Sequence, residues 1–239
     1  GAFLLSFIRG EHQAKGGSAP MTRFILGFFV MIGCLMFLGC PFRLILRLAG
    51  GDWNAILGFV GFAVGIGAGT FFLKRGYSLK RTYSLPKFDT AVMPVLMVGL
   101  LILVVMAPAF IFFSEKGPGA VHAFWAVSLI AGIVVGGLAQ YTRLCMVGGI
   151  RDIILFHETK LLMGFVAVFV AAFLVNLAFG NFHPGFANQP IAHTDGLWNF
   201  LGMALAGFCS ILLGGCPMRQ LIMTGEGNFG SCYRCSICS

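Results

Sequence analysis

The sequence predicts an all-α, polytopic transmembrane helix bundle, built from inverted repeats that carry broken, re-entrant half-helices. Three observations predict it. First, hydrophobic residues make up 58% of the chain and charged residues only 10%. A soluble chain of this size carries roughly a quarter charged residues. So few charges cannot cover a water-facing surface, and lipid takes the place of water around most of it. Second, apolar stretches of spanning length recur along the chain, where about 20 consecutive apolar residues cross a bilayer. Third, one Gly-Cys-Pro motif occurs twice, each time at the end of such a stretch.

Taken in order, the spanning stretches run over 22–39, 54–73, 91–113, 122–144, 160–180 and 197–214. The apolar residues 1–8 resemble the end of another span. Shorter arginine-bearing segments at 41–49, 149–156 and 217–224 read as half-helices that follow breaks at Gly-Cys-Pro or Gly-Gly. Irregular backbone at membrane depth is tolerated only where it is buried in protein or lines a cavity. The 34 glycines lie largely inside apolar spans and read as packing glycines rather than nucleotide loops.

Loop charges give the orientation. Lys74, Arg75, Lys80, Arg81 and Lys87 follow the second span and belong on the cytoplasmic side. The loop at 114–121 holds one lysine and one glutamate and belongs outside. Arg143, Arg151 and Lys160 fall inside again, and 181–196, with neither lysine nor arginine, falls outside. Arg43 and Arg47 break the rule, lying near the outer side beside a helix break, which makes them candidates for function rather than topology. The net charge of +8 is thereby a topology signal, not a nucleic-acid footprint.

The repeat pairs Gly39-Cys40-Pro41-Phe42-Arg43 with Gly215-Cys216-Pro217-Met218-Arg219. Each copy runs into a Gly-rich acidic turn, with Asp52 and Asn54 in the first and Glu226 and Asn228 in the second. The first copy's span starts inside and the second's outside, so the halves are inverted, as in secondary transporters with a site near the midplane. A further motif, Arg143-Leu144-Cys145-Met146-Val147-Gly148-Gly149-Ile150-Arg151-Asp152, precedes the second copy. Its counterpart in the first half would fall before Gly1, so both ends look truncated. Restoring them gives about nine crossings. The organisation is then a first repeat over 1–90, a connecting span and outer loop over 91–121, and a second repeat over 122–239.

The stretches GCPFRLILRLAGGDWN, RLCMVGGIRDIILF, QPIAHTDGLWNFLGMALAG and GGCPMRQLIMTGEGN together resemble the YeeE/YedE membrane-protein family, in particular its branch named for selenium transport. The resemblance covers about 18–228, while the tail with Cys232, Cys235 and Cys238 matches nothing in the family. It implies a permease or channel in the bacterial plasma (inner) membrane for a small inorganic sulfur or selenium solute, thiosulfate among the relatives' solutes. It also implies a substrate path along Cys40, Cys145 and Cys216, with a cytoplasmic selenium or sulfur carrier as a further partner. A thiol suits such a path because it is polarizable and a weak donor, and attracts a soft atom without holding it hard.

Arg43, Arg143, Arg151 and Arg219 are candidates to attract an anion, with Asp152 in place to neutralise one of the middle two. Pro41 and Pro217 are well placed to start half-helices whose N-termini favour negative charge. Asp52 reads as a cap or an arginine partner, and His193, Thr194 and Asp195 as an N-cap cluster. His122, His157 and His183 read as interfacial, and Cys34 and Cys209 as small hydrophobes in mid-span. Three tail cysteines without a fourth ligand make a weak metal signal, and neither a metal nor another cofactor is expected. The rival readings are a membrane sulfurtransferase-like enzyme with a persulfide-forming cysteine and an accessory subunit to a soluble carrier. No motif of phosphate, serine-hydrolase or zinc-protease chemistry occurs, and the leading reading is not an enzyme.

Overall fold

The computed structural model describes residues 15–17, 19–77, 79, 82–84, 95–96, 98–103, 106, 124–186, 189 and 192–225. The helices are α1 (Pro20–Phe37), α2 (Pro41–Ala49), α3 (Asn54–Lys74), α4 (Trp125–Thr142), α5 (Met146–Phe156), α6 (Lys160–Ala178), α7 (Gly196–Leu213) and α8 (Pro217–Gly225). Two three-residue strands, β1 (Lys15–Gly17) and β2 (Thr82–Ser84), pair antiparallel at one side of this all-α bundle. Five stretches, Pro20–Ala49, Asn54–Lys74, Trp125–Phe156, Lys160–Ala178 and Gly196–Thr224, are long and apolar enough to cross a membrane. The chain is a multi-pass membrane protein. The sixth expected span, 91–113, is described only at 95–96, 98–103 and 106, where it is helical. Residues 1–8, His122, Glu226, Asn228 and the tail cysteines lie outside the described residues.

α7 is the centre of the bundle. Within its most apolar window 61% is buried, against 6% for α4–α5 and for α6. α1 and α3 pack against α7, α5 touches α3, α6 and α7, and α2 lies on α3 and α6. Glycine spacing makes the central packing possible. A Cβ on Gly61 would meet the carbonyl of Phe200, one on Gly65 that of Ala204, and one on Gly33 that of Gly202. Backbones this close need small residues at every turn of the seam, as in membrane helix pairs generally.

The same contacts fix direction. Gly61, Gly65 and Gly69 of α3 meet Phe200, Ala204 and Phe208 of α7 in rising order, so these helices run parallel. Along α1 the order is reversed: His193 meets Met36, Gly33 meets Gly202 and Ala206, and Gly27 and Val30 share a small cavity with Ser210 and Leu213. α1 and α7 are therefore antiparallel, and the two Gly-Cys-Pro units are inverted.

Loops assigned to one side by charge also meet in space. Arg23, buried at the start of α1, donates to the carbonyl of Leu79 at 3.2 Å, joining the two basic ends. Burial raises the hydroxyl pKa of neighbouring Tyr77, while the Arg23 charge opposes the shift. On the opposite side, His183 N–H donates to Gly50 O at 3.0 Å and Trp53 N–H to Gly185 O at 3.2 Å.

Candidate functional site

Three helix breaks share one local design. A residue in the left-handed region ends the first helix: Leu38 (φ 60°), Arg143 (φ 51°) or Gly214 (φ 88°). The next N–H turns back five residues, Gly39 to Cys34 O (2.9 Å), Leu144 to Ala139 O (3.2 Å) and Gly215 to Ser210 O (3.0 Å). This closes the orphan carbonyls in the Schellman manner. A cysteine follows as the N-cap of the next helix. Its carbonyl accepts from four residues on: Cys40 from Leu44 (3.0 Å), Cys145 from Gly149 (2.9 Å) and Cys216 from Gln220 (3.0 Å). All three candidate path cysteines thus occupy the same place in the same motif.

The middle break corrects one expectation. The half-helix begins at Met146, not at Gly149, because the chain turns at Arg143 rather than at Gly148-Gly149. Those glycines lie inside α5, where a Cβ on Gly149 would stand 3.2 Å from the Leu162 N of α6.

Tertiary packing then brings two of the cysteines together. Cys145 and Cys216 are both buried in the main core cluster, each within electrostatic reach of the other. Cys145 Sγ accepts from its own Gly148 N–H at 3.4 Å. Arg219 adds a full positive charge within electrostatic reach of Cys145.

Cys40 stands apart from the pair. It is half-buried, its side chain makes no capping hydrogen bond, and it lines a cavity of about 510 Å³. That cavity lies between the two Gly-Cys-Pro units: Gly39 and Phe42 come from one, Pro217, Met218 and Leu221 from the other. Cys34 lines it too, which mid-span sequence context did not indicate, while Cys209 stays in a small apolar cluster with Val30, Ala206 and Leu213.

A second cavity, of about 560 Å³, opens on the side of the Gly50 and His183 loops. Arg43 and Arg47 line it with Asp52, Asn176, Asn181 and His183. The two arginines differ. Arg47 is buried and held by Asp52, with Nε–Oδ2 at 2.7 Å and a second nitrogen at 2.6 Å. It also donates to Phe37 O at 2.7 Å, and its guanidinium sits 4.2 Å over the Phe37 ring. Asp52 both pairs with Arg47 and accepts from the Asn54 N–H at 2.9 Å. Arg43 has no hydrogen-bond or ion-pair partner among the described residues. Its side chain lies back over Gly39, with Cδ 3.0 Å from where a Cβ would stand. It thus touches the rim of one cavity and lines the other. Arg219 lies over Gly215 in the same way.

The remaining candidates are less central. Arg151 is neutralised by Asp152 at 2.7–2.9 Å. Arg143 is exposed at its turn. Asp195 occupies the N-cap of α7 without a side-chain capping bond, and His193 instead reaches the carbonyl of Met36 at 2.5 Å. The expected capping cluster is therefore a tie between α7 and the end of α1. Asn176, Asn181 and Gln189, which line the second cavity, were not found by sequence reasoning. Their only signal was polarity beside a loop without lysine or arginine.

Fold and site together define a multi-pass α-helical membrane protein whose interior carries cysteines at half-helix N-termini. No protein-family model matches the chain, and no curated protein matches it.

Proposed function

We propose that the chain is a permease or channel for a small sulfur- or selenium-containing solute, in line with its resemblance to the YeeE/YedE family and its selenium-transport branch. The solute enters by the Arg43 cavity, passes Cys40, and reaches the Cys145–Cys216 pair. The observation that carries this reading is the placement of three thiols at three half-helix N-termini, one on an inter-repeat cavity and two buried in the same core cluster. Polarizable S–H groups beside oriented N–H donors can take a soft atom bearing negative charge and still release it. Arg43, whose charge no ion pair offsets among the described residues, supports an anionic rather than a neutral solute. The bacterial plasma membrane is the matching location.

Uptake of labelled selenite, selenide and thiosulfate into bacterial cells lacking their own systems tests it. Uptake of one solute, reduced to background by Cys40→Ala, Cys145→Ala and Cys216→Ala but retained by Cys209→Ala, is the expected result. Absence of uptake for all three, with folded protein in the membrane, overturns it. A stable persulfide on Cys145 or Cys216 in that case points to the sulfurtransferase reading.

A further inference from the structure

The buried ion pair of the first unit and the unpaired arginine beside it share one cavity. Arg43, Arg47 and Asp52 all line the space of about 560 Å³, and His183 is the other titratable group on its wall. With His183 neutral, two guanidiniums against one carboxylate leave the cavity one positive charge in excess. Asp52 holds Arg47 through two contacts, at 2.7 and 2.6 Å. Arg47 does not depend on Asp52 alone for its place. It donates to Phe37 O at 2.7 Å, and its guanidinium sits 4.2 Å over the Phe37 ring. Asp52 is likewise held by the Asn54 N–H, which donates to Oδ1 at 2.9 Å. A proton on Asp52 therefore leaves Arg47 in the wall with its charge uncompensated. From α6 and the loop after it, Asn176 and Asn181 bring neutral carboxamides, whose N–H groups can donate to an oxyanion.

We propose that this cavity takes a divalent oxyanion together with one proton, which Asp52 accepts as the anion competes with it for Arg47. Coupling of the proton to transport rests on the permease reading, whereas the linked binding of anion and proton does not. A dianion beside the Asp52 carboxylate sets three negative charges against two positive ones. Unbalanced charge away from bulk water is costly, and two carboxylate-like groups on one cation do not both stay ionised. A proton taken from water by one Asp52 oxygen restores the balance, two guanidiniums facing one dianion. The only bond formed is O–H, and it breaks again when the anion leaves. A monoanion balances the cavity as it stands and needs no proton. The same wall therefore treats the two charge types differently. In a permease, anion and proton then travel together, and an inward proton gradient drives uptake of the dianion.

The test measures equilibrium binding of labelled thiosulfate, a dianion near neutral pH, to the full wild-type chain reconstituted in lipid vesicles. Labelled thiocyanate, a monoanion, is measured alongside. The expected result is a thiosulfate affinity that falls about tenfold for each unit rise in pH, the slope of one linked proton, while thiocyanate binding stays flat. Thiosulfate binding that does not change with pH, or no binding at all, overturns the proposal without any appeal to a variant's folding. Asp52→Asn, which has the shape of the protonated acid, is expected to bind thiosulfate with no pH slope. His183→Gln is expected to keep the slope, and its loss there puts the proton on the imidazole and overturns the assignment to Asp52. Arg43→Gln is expected to weaken thiosulfate binding by about tenfold or more, and unchanged affinity places the anion elsewhere and overturns the site. Uptake is measured in parallel on the same vesicles. Uptake with a flat binding curve overturns the proton site and leaves the permease reading standing. A sloped curve in vesicles that transport nothing supports the site and counts against the permease reading instead.

Discussion

The two Gly-Cys-Pro units have the same fold and different chemistry. In both, a left-handed turn precedes a cysteine N-cap, a proline opens the half-helix, and an arginine lies back over the glycine. In the first unit the cysteine is half-buried and faces a cavity. In the second it is buried in the core cluster that also holds the cysteine of the third break. The first unit also carries a buried ion pair, Arg47–Asp52, where the second has Met223 at the position matching Arg47. The turn is thus set by local sequence, while the role of the thiol is set by what packs against it. The first unit is braced by its ion pair, and the second is packed into the core.

The comparison can be broken most severely at the ion pair. Arg47→Met puts the second unit's residue into the first and leaves Asp52 buried without its cation. A loss of about 3–5 kcal/mol is expected for removing one partner of a buried pair, read as a lowered melting temperature in detergent. Next comes the contact between the units. Gly33→Ala drives a Cβ into the backbone of Gly202, and overpacking of this kind is expected to destabilise by about 1–3 kcal/mol. Cys216→Ala removes a buried sulfur from the core and should cost about 1 kcal/mol. Cys40→Ala, with no capping bond to lose, should stay within about 0.5 kcal/mol of wild type while still reducing uptake. The smallest effect sharpens the likeness of the two turns. Leu38→Gly relieves a left-handed leucine and should gain about 1 kcal/mol, whereas Gly214→Leu should lose about as much. Equal melting of wild type and Leu38→Gly would show that the two turns are not equivalent.

Most of the architecture was legible because lipid makes the code simple. Apolar length gave the five spans found among the described residues, and the repeated Gly-Cys-Pro gave two of the three breaks. The inversion followed from these and appears in the structure as the antiparallel run of α1 against α7. The third break was placed too late in the chain because Gly148-Gly149 looked like a stop. Inside a packed helix those glycines instead admit the backbone of α6. The candidate cysteines were named correctly as members of breaks, but the burial of Cys145 and Cys216 in one core cluster was not legible. It depends on how α5 and α8 are carried around α7, and no local pattern records that. The same holds for the unequal arginines of the first unit. Sequence marks Arg43 and Arg47 alike, and only the return of the chain through Asp52 neutralises one and leaves the other for the cavity.

The glycine seam between α3 and α7 has a consequence for leakage. Where Gly61 and Gly65 meet the carbonyls of Phe200 and Ala204, main chain rests on main chain. There is no side chain there whose rotamer change could admit a water file. A bulky-residue interface breathes by rotamer hops, and a proton or sodium ion can follow the water that enters. At these two positions the seam has no such hinge. On the permease function proposed above, a wall of this kind would keep ions from leaking beside the solute, so that the glycines insulate as much as they scaffold.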